Sequence, residues 1–233
     1  MINISSKKKD RIKTYFENSN SELDLRGNNS EIGITQYAYY IIDKVNIKPG
    51  FKYLDIGCGD GKIIKKIQEI VPNCEIDGID ISEKLINSAK LNNKQNNFFI
   101  GDATNYKINK QYHKIFSFSF LQYLSANEII VMNRNLKNIL INSKEKEIIH
   151  LSVPDVRLKN ISGFIKLSKF KLGFLIPLFQ IFRFFKTSVS YSNDGSIFHD
   201  PKKLAKLSNE LFNCDVSNSD SYYRFDISFK IRS

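Results

Sequence analysis

Short apolar runs alternate along this chain with stretches whose hydrophobic positions recur at helical spacing, and that alternation sets out its elements. Lys7 to Glu17 and Thr35 to Val45 read as helices, with Asp24 to Ser30 between them as a loop rich in Gly, Asn and Ser. Tyr53 to Ile56 is a buried strand interrupted by Asp55, and Gly57, Gly59 and Gly61 follow it at alternate positions. From Lys62 to Val71, the residues Ile63, Ile64, Ile67, Ile70 and Val71 share one helical face, which Pro72 ends. Strands are expected at Glu75 to Ile81 and Asn97 to Ile100, then a strand and turn over Lys114 to Leu124. A helix over Ala126 to Ile141 and a strand over Glu147 to Val153 continue the series. After a break come a helix, Pro201 to Phe212, and two strands, Asp215 to Ser219 and Tyr222 to Ile231. Strands and helices in turn imply a doubly wound α/β sheet, mostly parallel, with helices on both faces.

The strand, glycine turn and helix start over residues 53–62 make a cradle for a polar ligand, because glycine lets a ligand approach bare backbone. A dinucleotide fingerprint would need glycine at position 62, and Lys62 stands there. Asp80 follows at the carboxyl end of the second strand, about twenty residues past the loop, where a carboxylate can grip ribose hydroxyls. Asp102, after the third strand, is placed to accept from an exocyclic amine such as that of adenine.

These signals resemble the class I S-adenosylmethionine-dependent methyltransferases. The matching motifs are Leu54 to Gly61, Gly78 to Ser82, Gly101-Asp102-Ala103, and the strand and turn Lys114 to Leu124. They occur in order between about Ile34 and Asp155. The resemblance implies a Rossmann-like, seven-stranded sheet ending in an antiparallel hairpin, and S-adenosyl-L-methionine as cofactor. It implies that Asp55, Gly57, Cys58 and Gly59 face the methionine part, Asp80 and Ile81 the ribose, and Asp102 and Ala103 the adenine, with Ser119 beside them after the fourth strand. A looser similarity, carried by His150 to Asp155 and Asn193 to Asp200, is to methyltransferases of surface-polysaccharide pathways.

Composition narrows the setting. The chain has 233 residues, 42% of them hydrophobic, enough for one core, so residues 1–233 are read as a single domain. No apolar run reaches membrane-spanning length, and Met1 to Lys9 lacks an apolar leader segment. Cys58, Cys74 and Cys214 are too dispersed for a metal knuckle and odd in number for a disulfide framework, so no metal and a reducing cytoplasm are expected. A net charge of +11 suits phosphate-bearing partners or anionic membranes, although the chain is rich in Lys, Asn and Ile throughout.

Arg157 to Phe198 is an aromatic and basic insertion after the fifth strand. It can be a lid over an acceptor pocket, a surface that touches anionic lipid, or a dimer face. The fourth-strand turn, Ser117-Phe118-Ser119-Phe120, lacks the proline turn of enzymes that methylate exocyclic amines of bases, and no cysteine lies beside proline. Nucleic acid, RNA above all, is therefore the alternative acceptor. A small polar acceptor methylated on oxygen leads: a sugar, nucleotide-sugar or phosphorylated glycan precursor. A hydroxyl acceptor gains from a base, and His199 with Asp200 is the candidate. The competing reading makes Asp200 an N-cap with Pro201 at N1, and His199 incidental.

Overall fold

The computed structural model describes residues 3–18, 30–158, 197–219 and 224–232. In chain order these form α1 (Asn3–Glu17), α2 (Glu31–Val45), β1 (Lys52–Ile56), α3 (Lys62–Ile70), β2 (Glu75–Asp80), α4 (Glu83–Asn92) and β3 (Phe98–Ile100). There follow β4 (Lys114–Phe118), a 3-10 turn at Leu121–Tyr123, α5 (Ala126–Lys137), β5 (Glu147–Pro154), α6 (Pro201–Ser208), β6 (Phe212–Asn218) and β7 (Arg224–Ile231). The seven strands lie in the order β3-β2-β1-β4-β5-β7-β6. β1 to β5 are parallel, whereas β7 runs antiparallel to both β5 and β6. This is the doubly wound sheet with a C-terminal antiparallel hairpin that the pattern predicts.

The chain order reverses at β1, whose neighbours are β2 and β4, so a crevice opens beyond the carboxyl ends of these strands. Alternate residues of β1 supply opposite faces. Leu54 and Ile56 join Ile115, Met132, Leu136, Ile148, Leu204 and Phe229, the side covered by α5 and α6. Tyr53 joins Ile41, Ile64, Ile67, Ile76, Ile86 and Phe116, the side covered by α2, α3 and α4. Burying both faces explains why these strands read as nearly continuous apolar runs.

Side-chain caps decide several helix ends. Ser30 accepts from Gly33 N and starts α2 a turn before Thr35. Ser125 and Glu128 form a reciprocal capping box that starts α5. α5 stops at Lys137 and not at Ile141, because Tyr112 N donates to Ile139 O and Ile141 N donates to Tyr112 O. α6 likewise stops at Ser208, which frees Phe212 to begin β6 and pack on Phe229. α4 is not singled out by the sequence pattern, since only Leu85, Ile86 and Ala89 of it are buried. Residues 24–29 of the expected loop, 159–196 of the insertion and 222–223 of the last strand lie outside the described residues.

Candidate active site

The turn after β1 is built from left-handed glycines, with φ of 76° at Gly57, 57° at Gly59 and 71° at Gly61. Gly57 N and Cys58 N both donate to Ile79 O, at 2.8 and 3.2 Å, which folds the turn back onto the end of β2. A Cβ at Gly57 would lie 2.5 Å from the Phe120 ring, so the loop is a cradle that a side chain would fill. Asp80 ties two motifs together, with Oδ2 accepting from Gly59 N at 3.1 Å and Oδ1 from Ser82 N at 2.9 Å. Desolvation raises its carboxyl above the ordinary range, against the lowering effect of bonds from Ser82, Gly59 and Ile81. Among the described residues no ion pair reaches it.

Asp102 has a different environment. Its Oδ1 accepts from Thr104 N at 2.9 Å and from Thr104 Oγ1 at 2.8 Å, while Oδ2 accepts from Lys9 Nζ at 2.6 Å. Burial raises this carboxyl, but Lys9 and Thr104 outweigh it and hold the net value below the usual carboxylate range. Gly57, Asp80, Ile81, Asp102 and Ala103 all line one narrow cavity at the carboxyl ends of β1, β2 and β3. Gly59 supports it from behind through Asp80. Asp55 is buried at the end of β1, and Cys58 Sγ packs against β2 where a Cβ on Gly78 would meet it. Neither is on the cavity wall.

The wall also includes Phe120, Tyr123 and Leu124 after β4, and Lys9, Ile12 and Phe16 from α1. Sequence reading does not assign the α1 residues to a site. The one signal for them is their spacing of three and four, which puts them on a single helical stripe.

Ser119 belongs to a separate buried layer at the ends of β4 and β5. It has φ 55°, donates from its N to Leu151 O, and accepts from Arg224 Nη1 at 3.2 Å. Ser152, at φ 59°, donates from its N to Asp226 Oδ1, and Arg224 also donates to Ser152 O. Two serines in a conformation costing of order 1 kcal/mol each are held there by one buried arginine and one buried aspartate.

His199 and Asp200 are placed as structural partners. Asp200 Oδ1 accepts from Lys202 N and Lys203 N and caps α6, with Pro201 in the first turn. His199 pairs through its backbone with Pro154 O and Val156 N, and the residue is only 4% exposed. Its Nε2 lies 2.9 Å from Leu121 O, which can only accept, so that nitrogen carries the proton. We propose on this geometry that His199 straps β5 to the turn after β4 and does not act as the base. The preceding motif residues 193–196 lie outside the described residues. His199→Ala should therefore lower stability by about 1–3 kcal/mol through the buried space it leaves and the lost bond to Leu121 O, which keeps Leu124 N as a donor, read as a fall in Tm, and keep kcat within roughly tenfold. A kcat loss of about 10²–10⁴ with an unchanged Tm would make it the base after all.

The chain is similar to known methyltransferases. Residues 54–142 match the family model described as a methyltransferase domain. A malonyl-(acyl-carrier protein) O-methyltransferase from Ilyobacter polytropus is 34% identical over 107 residues, covering 42% of this chain and 40% of that protein. A probable (S)-tetrahydroprotoberberine N-methyltransferase from Papaver bracteatum is 24% identical over 122 residues, covering 50% of this chain and 32% of that protein. The chain thus spans well under two thirds of these relatives. Among solved structures, magnesium protoporphyrin IX methyltransferase from Synechocystis PCC 6803 with bound SAM superposes with a TM-score of 0.62 over 97% of each chain, at 16% identity. PH0226 from Pyrococcus horikoshii OT3 gives 0.63 over 94% of this chain and 99% of that one, at 15% identity. These likenesses establish the fold. Among the described residues, no helix is long and apolar enough to cross a membrane.

Proposed function

We propose that this chain transfers the methyl group of S-adenosylmethionine to an oxygen of a small polar acceptor, of the sugar or phosphorylated-sugar class. The observation that carries the cofactor reading is Asp80, a desolvated carboxylate tied to the glycine loop and to the start of α4 and facing the cavity. Ribose hydroxyls would add donors to a carboxylate whose oxygens still have acceptor capacity beyond the backbone amides of Gly59 and Ser82. Gly57 to Gly59 give the bare backbone against which the methionine part lies, and Asp102 the acceptor for the adenine amine. Phe120, Tyr123, Leu124, Ile12 and Phe16 keep the cavity dry.

When bound, the cofactor supplies a methyl group already activated by its sulfonium sulfur. The protein's share of the catalysis is then to align the acceptor oxygen and exclude water. A phosphate or carboxylate oxygen needs no base. The basic balance of the chain, +11, favours an acceptor of that charge. The malonyl-carrier relative is named as an O-methyltransferase, which supports oxygen as the atom methylated.

Turnover with methyl-labelled cofactor against sugars, nucleotide-sugars, phosphorylated sugars, free carboxylates, amines and RNA tests the acceptor. The label is expected on oxygen of a sugar or phosphorylated sugar. Label confined to RNA or to an amine nitrogen would overturn the acceptor class and leave the cofactor site standing.

A further inference from the structure

We infer that α1 is a lid over the cavity, latched shut by the Lys9–Asp102 ion pair, and that cofactor binding must release the latch. The inference rests on the cofactor reading above for what enters the cavity. Its structural half concerns the free chain alone.

The stripe Lys9, Ile12 and Phe16 forms the roof, while Asp10, Arg11, Lys13, Thr14 and Tyr15 of this helix face solvent. The space left beneath is about 60 Å³. A nucleoside-sized ligand takes a pocket of roughly 300 Å³ or more, so the roof must lift before one enters.

The two ends of α1 are held differently. At its carboxyl end Phe16 is buried against Leu85 and Tyr123, meeting the Tyr123 ring edge-on at 5.4 Å. Glu17 accepts from Glu83 N at 2.9 Å and Lys84 N at 3.4 Å, the free amides that open α4. Among the described side chains, the anchor towards its amino end is Lys9, whose Nζ donates to Asp102 Oδ2 at 2.6 Å and Thr104 Oγ1 at 2.9 Å. The helix can thus pivot on Phe16 and Glu17 once Lys9 lets go.

Lys9 also holds the oxygen that a ligand amine needs. Thr104 occupies Asp102 Oδ1 with two donors, so Oδ2 is the oxygen left for an incoming amine, and the ammonium is on it. Glu128 Oε1 lies 3.7 Å from Lys9 Nζ. The charge therefore has a second carboxylate to retain as it gives up the first, which keeps release from stranding an unpaired ammonium.

Lys9→Met keeps the length of the side chain and removes its charge. Hydrogen exchange over α1 in the cofactor-free chain should quicken about three- to tenfold in this variant, the range for a partly buried charge-assisted pair. Lys9→Arg should restore the wild-type rate. Calorimetry should show S-adenosylmethionine binding to Lys9→Met about three- to tenfold more tightly than to wild type, because the competitor for Asp102 is gone. Unchanged exchange in the free variant, or equal or weaker cofactor affinity, would overturn the latch. The latter outcome would make Lys9 an ordinary contact of the bound ligand. If neither chain binds the cofactor, the functional reading fails, and free-chain exchange still decides whether Lys9 holds α1 down.

Discussion

Between pH 7 and pH 4 this chain should lose about 3 kcal/mol of stability through His150 alone. His150 sits in the middle of β5 with no exposed surface, bonded on both ring nitrogens. Ser117 Oγ lies 2.8 Å from Nδ1 and Asn133 Oδ1 lies 3.0 Å from Nε2. The amide oxygen can only accept, so Nε2 carries the proton and the Ser117 hydroxyl donates to Nδ1. A second proton would reverse that bond and place a full charge on the ring inside the core. Burial, with a smaller contribution from the nearby His199, accordingly depresses the ring from an ordinary 6.5 to about 3. The unfolded chain takes up the proton below about 6.5 and the folded chain does not until about 3, so stability is present above that window and is lost as pH falls through it. Urea unfolding at several pH values measures the slope, which approaches 1.4 kcal/mol per pH unit for one proton. His150→Gln, which cannot protonate, should lack that part of the slope even where its stability at pH 7 is lower. An unaltered slope in the variant would show that His150 protonates freely in the fold.

Asp80→Ala should weaken cofactor binding by about 1–3 kcal/mol, or roughly 5- to 150-fold. Two losses combine. The ribose hydroxyls lose their charged acceptor, and Gly59 N and Ser82 N lose the carboxylate that fixes the glycine loop against the start of α4. Asp80→Asn should lose less, because an amide oxygen can still accept from one of those two amides. Both variants should keep β1 and β2 paired, since the register from Lys52 and Glu75 to Ile56 and Ile79 does not use the side chain. An affinity unchanged in Asp80→Ala would place the ribose elsewhere.

The strands and the glycine loop were legible because their causes are local. A strand buried on both faces is largely apolar, and a turn needing positive φ three times in five residues selects glycine at 57, 59 and 61. Asp80 and Asp102 were legible from the same logic, as acids at strand ends beside that loop. The roof of the cavity was not. Lys9 meets Asp102 across 93 residues of sequence, and nothing within α1 distinguishes a lid from any amphipathic helix. Helix ends were misplaced where tertiary pairing competed, as when Ile139 and Ile141 leave the helix for Tyr112. His199 could be read as a base or as a bystander from sequence, because the carbonyl of Leu121 that holds its ring lies 78 residues away.

The central claim is that this crevice holds S-adenosylmethionine, and calorimetry on the wild-type chain tests it most directly. S-adenosylmethionine and its demethylated product should each bind one site per chain with a Kd in the micromolar range, and NAD should not bind. Binding of NAD with none of the sulfonium cofactor or its product would contradict the account.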